Sequence, residues 1–217
     1  MELYYHPLSR YSQKVLISLY EKQANFYPRV IDLQDPFERK KYFEINKLGK
    51  IPLLKCLNGR LIPESSIIIE FIDQHFTSGS RLLPADPERS LEVRLFDRII
   101  DHDLNNNLYV LERLSLANDQ QQNQLEIKKI KNRITTVLLQ IEQQLEKNHW
   151  LCGDSFTLAD CALLPCLDYA LQNIESFEMT QLNRYHQQAQ LRGAWMLVSD
   201  ELAAAQTEAQ TGLRLIP

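Results

Sequence analysis

Asn46-Lys47-Leu48-Gly49-Lys50-Ile51-Pro52-Leu53-Leu54-Lys55-Cys56-Leu57-Asn58-Gly59-Arg60-Leu61-Ile62-Pro63-Glu64-Ser65-Ser66 is the stretch around which the chain is organised. The ring of Pro52 drives Ile51 into an extended conformation, so a strand is expected over residues 53–56, beginning at a proline. Asn58-Gly59 lies between two apolar runs, the pattern of a hairpin closed by a type I′ turn with positive φ at both central residues. Glu64 and Ser65 then open a helix carrying Ile67, Ile68, Ile69, Phe71, Ile72 and Phe76.

Working outward, residues 2–6 alternate as a short strand that Pro7 stops. Val15, Leu16, Leu19 and Tyr20 recur at helical spacing over 10–22, with Ser9 or Ser12 available as N-cap. A second strand is expected over 26–31, and Pro36 stands at the first turn of a helix over 37–45. Strand, helix, strand, helix, hairpin, helix is the order of a thioredoxin-like sheet, a βαβ unit followed by a ββα unit. Polar and proline-marked residues 77–87 then form a connection, after which strand signals vanish. Amphipathic helices are expected over 87–116, 123–147, 158–173, 178–190 and 194–205. Thr157 and Asp160 form a Thr-x-x-Asp capping box at the start of the third of these. The expected fold class is therefore α/β plus all-α, with a thioredoxin-like domain over 1–78 and an all-helical domain over 87–217.

The chemistry concentrates where the hairpin meets its helix. Free N–H groups at a helix start, with a Ser65 hydroxyl added, suit a carboxylate, and Glu64 suits an ammonium. The backbone of Ile51 can pair edge-on with an extended peptide. Together these features point to a small zwitterionic peptide.

Gly49-Lys50-Ile51-Pro52 followed by Glu64-Ser65 resembles the glutathione site of the cytosolic glutathione transferases. Trp150-Leu151-Cys152-Gly153-Asp154-Ser155-Phe156-Thr157-Leu158-Ala159-Asp160 and Arg192-Gly193-Ala194-Trp195 extend the likeness over essentially the whole chain. The resemblance implies a cis Ile51–Pro52 bond, glutathione as co-substrate held by Lys50, Ile51, Pro52, Glu64 and Ser65, and a homodimer. Leu3 to Val15 is similar to the serine-type bacterial members, which implies Ser9 as the residue facing the thiol. Tyr5, two residues before Pro7, falls where tyrosine-type members carry theirs and is the runner-up. The implied electrophile site lies between the domains, against Leu8, Tyr11, Leu104, Leu108 and Tyr109, and Asp101 or Asp103 would reach a partner subunit's glutathione. The implied activity is transfer of the glutathione thiolate to a hydrophobic electrophile. The alternatives are a non-enzymatic partner-binding protein like stringent starvation protein A, and a glutathione-dependent isomerase. The isomerase's Ser-Ser-Cys run is here Ser9-Arg10-Tyr11.

Composition narrows the field. At 217 residues the chain is long enough for two modest domains with proper cores. With 24 Lys and Arg against 28 Asp and Glu, the net charge of -4 argues against nucleic acid as a partner. The apolar run 67–72 is too short to cross a bilayer, and no targeting segment opens the sequence, so a cytoplasmic protein is expected. The four cysteines, Cys56, Cys152, Cys161 and Cys166, form no C-x-x-C pair, so no metal is expected and the thiols read as reduced core residues.

Overall fold

The computed structural model describes residues 1–116, 120–174 and 178–211. Two compact units share the chain, one built from Met1–Leu82 and the chain from Arg192 onward, the other from Leu83–Leu191.

In the first unit, β1 (Glu2–Tyr5), β2 (Tyr27–Val30), β3 (Leu53–Lys55) and β4 (Leu61–Pro63) form one sheet in the order β2-β1-β3-β4. β1 runs parallel to β2 and antiparallel to β3, and β3 is antiparallel to β4. Successive side chains of a strand point to opposite faces, and β1 uses both. Tyr4 packs with Leu53 and with Tyr42 of α2 (Pro36–Ile45), against which Ile51 also rests. Leu3 and Tyr5, on the alternate positions, are buried too, as are Val15, Leu16 and Leu19 of α1 (Arg10–Glu21) and Ile68, Ile69 and Ile72 of α3 (Ser65–His75). Asp35 caps α2, accepting from the N–H groups of Phe37 and Glu38, and Pro36 fills the first helical position, where no N–H is needed.

The hairpin is where it was expected, but its turn differs. Of Asn58 and Gly59 only Gly59 has positive φ, at 83°. Gly59 N–H donates to the Cys56 carbonyl, Cys56 N–H donates to the Arg60 carbonyl, and the Asn58 side chain accepts from Arg60 N–H at 3.0 Å. This is a three-residue loop with glycine in the left-handed position, and the Asn58 side chain does the turning that a second positive φ would otherwise do.

The regular elements described in the second unit are helices: α4 (Pro87–Ile99), a π-helical segment (Ile100–Asn105), α5 (Asn106–Leu116), α6 (Gln120–Leu145), α7 (Leu158–Asn173) and α8 (Thr180–Gln190). The helix expected over 87–116 is thus one run interrupted by a wider turn, which a period of 3.6 residues does not reveal. α7 is buried along nearly its whole length, including Cys161 and Cys166. At its start the Asp160 carboxylate accepts from Leu151 N–H, Thr157 N–H, the Thr157 hydroxyl and the Tyr185 hydroxyl, all within 2.9 Å. The expected capping box is present and is also a tether from α7 to α8 and to the loop before it. Burial pushes the Asp160 carboxyl above the ordinary carboxylate range, and these donors oppose the push.

One expectation about domains is corrected. α9 (Gly193–Thr211), expected in the second domain, falls in the first unit, where it packs on α1. Its Glu201 carboxylate accepts from the hydroxyls of Tyr5 and Tyr20. Arg192, just before it, pairs with Glu21 and donates to the Ser80 hydroxyl at 3.0 Å. These polar contacts join positions up to 196 residues apart in sequence, so no local pattern signals them. Residues 212–217 of the expected second domain lie outside the described residues.

Candidate functional site

The loop between β1 and α1 is held at several points. Ser9 N–H donates to the His6 carbonyl at 3.0 Å, Leu8 N–H to His6 Nδ1 at 3.2 Å, and the Gln13 side chain to the Pro7 carbonyl at 2.6 Å. Ser9 is the N-cap of α1, its Oγ accepting from Ser12 N–H at 3.4 Å. Capping uses the oxygen as acceptor. The hydroxyl hydrogen is left to be donated elsewhere, so the structural and the catalytic roles of Ser9 are compatible.

Tyr5 is different. Its hydroxyl donates to Glu201 at 3.0 Å, and a phenol has one hydrogen to give. Burial first, and then the charge and hydrogen bond of Glu201, push its pKa above the ordinary phenol value, and the same causes act on Tyr20. In this arrangement Tyr5 anchors α9, its one hydroxyl hydrogen directed at Glu201. Tyr5→Phe is expected to cost about 1–2 kcal/mol, a charge-assisted bond lost while Tyr20 keeps its own. That corresponds to a melting point roughly 2–8 °C lower for a chain of this size. The ionisation of any bound thiol should stay where it was; a clear displacement of that titration in Tyr5→Phe would make Tyr5 part of the chemistry.

On the other side of the sheet's end, Ile51–Pro52 is cis, as the resemblance implied. Ile51 stands just outside the ladder, which begins at Leu53. The loop before it is clamped by residues whose role the sequence did not signal. The Tyr42 hydroxyl and the Asn46 side chain both donate to the Lys50 carbonyl, at 2.7 and 2.9 Å. Asn46 also accepts from Leu48 and Gly49 N–H through its side chain and carbonyl, and Gly49 sits at φ 61°. The Lys50 side chain is exposed.

Glu64 is the N-cap of α3 and has φ 71°, a left-handed conformation that a non-glycine residue adopts rarely and that marks functional sites more often than chance. It directs an exposed carboxylate outward while Ser65, at the first helical position, is buried. Nothing in the local sequence foretold that backbone.

The residues expected to line an electrophile site divide. Leu8 is exposed and Tyr11 half-buried in the first unit; Tyr109 is half-buried in the second. Leu104 and Leu108 have no exposed surface at all, so they serve the helical core and are withdrawn from that site. Asp101 is buried and Asp103 exposed.

Two family models match the chain: the glutathione S-transferase N-terminal domain over residues 3–80 and the C-terminal domain over residues 104–189. The chain belongs to the glutathione transferase superfamily. It is 27% identical over 208 residues to glutathione S-transferase F10 of Arabidopsis thaliana, covering 90% of this chain and 94% of that one. It is 26% identical over 167 residues to a stringent starvation protein A homolog of Coxiella burnetii, covering 77% and 74%. Among solved structures, a glutathione S-transferase from Methylobacillus flagellatus KT with glutathione bound superposes with a TM-score of 0.80 at 25% identity, over 92% of this chain and 98% of that one. The fold is thus that of the glutathione transferases.

Proposed function

We propose that the protein is a glutathione transferase in which Ser9 stabilises the glutathione thiolate for attack on a hydrophobic electrophile. The observation that carries the reading is the Ser9 hydroxyl, used as an acceptor by its own helix and retaining its hydrogen. The helix start behind it favours negative charge. Glu64 and Ser65 would take the ammonium and carboxylate of the γ-glutamyl group, Ile51 beside cis Pro52 would pair with the peptide backbone, and Lys50 would meet the distal carboxylate. Relatives in the family include both enzymes and a stringent starvation protein A homolog, so a second reading is a partner-binding protein that keeps the fold without turnover. The serine-type assignment rests on position, since Ser9 falls where those members carry theirs.

Thiolate formation alone supplies little of the rate. Lowering the thiol pKa from about 8.5 to about 6.5 raises the thiolate fraction at pH 7 roughly 25-fold, while the lower basicity takes back about 8-fold. The remaining acceleration comes from holding sulfur against the electrophile and stabilising charge as the new bond forms.

A homodimer in the cytoplasm is the assembly this reading expects. Supporting it, Leu48 and Ile67 of the first unit are 65% and 53% exposed, and Leu91 and Leu95, one turn apart on α4, are 61% and 55% exposed. Among the described residues no helix is long and apolar enough to cross a membrane.

The test is to titrate glutathione into the protein and follow thiolate ultraviolet absorbance against pH. Ser9→Ala is expected to raise the ionisation midpoint by about 1–2 units, each a tenfold loss of thiolate at acid pH. Turnover with a generic aryl halide should fall about 100-fold, the scale of a lost oxyanion donor. Glutathione binding without turnover in the parent protein selects the partner-binding reading; an unmoved midpoint in Ser9→Ala removes Ser9 from its role.

A further inference from the structure

α1, which packs against α3, and its C-cap residue carry three buried polar side chains at four-residue spacing, Lys14, Ser18 and Lys22. Their partners differ. Lys22 ends the series in an ion pair with Asp73 at 3.0 Å, and its ammonium also donates to the Ser80 carbonyl. Ser18 returns its hydroxyl to the Val15 carbonyl of its own helix. Lys14, 1% exposed, reaches across to donate to the Ser66 hydroxyl at 3.0 Å. Ser66 is the second residue of α3, immediately after Ser65, and Lys14 is the fifth residue of α1, just past the turn that Ser9 caps.

A buried lysine is costly, and an apolar residue of similar length would fill the space without desolvating a charge. Its placement here joins the opening turns of two helices whose ends must act together on one ligand. We propose that Lys14 is a positioning residue: through Ser66 it fixes the first turn of α3 against the first turn of α1, and so sets the separation between Glu64–Ser65 and Ser9. This rests on the glutathione reading above. A ligand gripped at its γ-glutamyl end presents its sulfur to Ser9 only if that separation is held, because a misplacement of about an ångström is enough to lose an aligned donor.

The other charges carried by helices packed on α1 are Glu70 and Asp73 on α3 and Asp200, Glu201 and Glu208 on α9, with Arg10 and Glu21 on α1 itself and Lys22 at its C-cap. Asp73 answers Lys22, Glu201 answers the two tyrosines and Glu21 answers Arg192. The strut acts through the position of the Lys14–Ser66 bond, and its effect is read on the sulfur end of the ligand while the γ-glutamyl end is left in place.

The experiment compares the parent protein with Lys14→Met, Lys14→Arg and Ser66→Ala. Affinity for glutathione and for S-methylglutathione is measured by calorimetry, and ionisation of the bound thiol by ultraviolet absorbance against pH. In Lys14→Met and Ser66→Ala the midpoint of thiol ionisation is expected to rise by about one unit, a tenfold loss of thiolate at acid pH. S-methylglutathione, which has no ionisable thiol, should bind within about threefold of the parent. Lys14→Arg, which keeps a donor in place, should recover at least half of the displacement. If Lys14→Met fails to fold, Ser66→Ala, which leaves the lysine intact, decides the matter. A midpoint unmoved in the folded variants overturns the positioning role, as does an equal loss of affinity for both ligands. Failure of the parent protein to bind either ligand overturns the glutathione reading instead.

Discussion

Replacing Asp160 by alanine is expected to destabilise the protein by about 3–5 kcal/mol, since it leaves buried donors without an acceptor. The magnitude follows from how the carboxylate is used. Leu151 N–H and the Tyr185 hydroxyl converge on Oδ1, and Thr157 N–H and its hydroxyl converge on Oδ2. The hydroxyls can turn toward other acceptors; the two N–H groups cannot. The loss exceeds that of an exposed helix cap, about 1 kcal/mol, because water cannot replace the missing oxygens. Tyr185 is fully buried against Trp150, which also meets Phe156 edge-on, so the loss should spread to α8 and the loop before α7. Asp160→Asn tests the assignment. It can keep an acceptor for one pair of donors but turns an NH₂ toward the other, so it should recover less than half of the stability. Denaturant unfolding gives both values, and a cost below about 1 kcal/mol for Asp160→Ala would mean that the network is not what holds this end of α7.

Gly79→Ala should be nearly as damaging, at about 2–4 kcal/mol. Gly79 has φ 67°, where an alanine costs about 1 kcal/mol in backbone conformation alone. A Cβ there would also lie 1.7 Å from the Glu21 carbonyl oxygen, a backbone atom that cannot swing away as a side chain does. The chain must shift, and its neighbours are tied: the Ser80 carbonyl to Lys22, the Ser80 hydroxyl to Arg192, and Leu82 N–H to Asp73 at 2.9 Å. Gly59 supplies the control. It has φ 83° but open space where a Cβ would go, so Gly59→Ala should show the conformational cost without the collision. If thermal unfolding finds the two variants equally destabilised, the close approach at Glu21 is not limiting.

The difference between these glycines shows where sequence reading stops. Asn58-Gly59 announces a turn because its residues are local to the turn; Gly79 is defined by a carbonyl on another element, and the polar run around it reads only as a connection. The same division holds at the site. Ser9, Pro52, Glu64 and Ser65 were legible as a cap, a proline-led strand and a helix start, each a short-range pattern. The hold of Tyr42 and Asn46 on the Lys50 carbonyl is also close in sequence, but it depends on where a loop passes, which spacing does not encode. The left-handed backbone of Glu64 has no composition signal, because glutamate is not a residue that prefers it. Leu104 and Leu108 were legible as an apolar stripe, and a stripe does not say whether it faces a pocket or a core; here it faces the core. Glu201 sits in a helix rich in alanine and was not singled out, although it answers two tyrosines nearly two hundred residues upstream.

That last pairing bears on how the molecule is made. A ribosome emits the sheet and its first three helices early, yet Tyr5 and Tyr20 meet their acceptor only after the intervening helices have been translated. Until then the nascent first unit lacks α9, and the two tyrosine hydroxyls wait for the carboxylate that joins them.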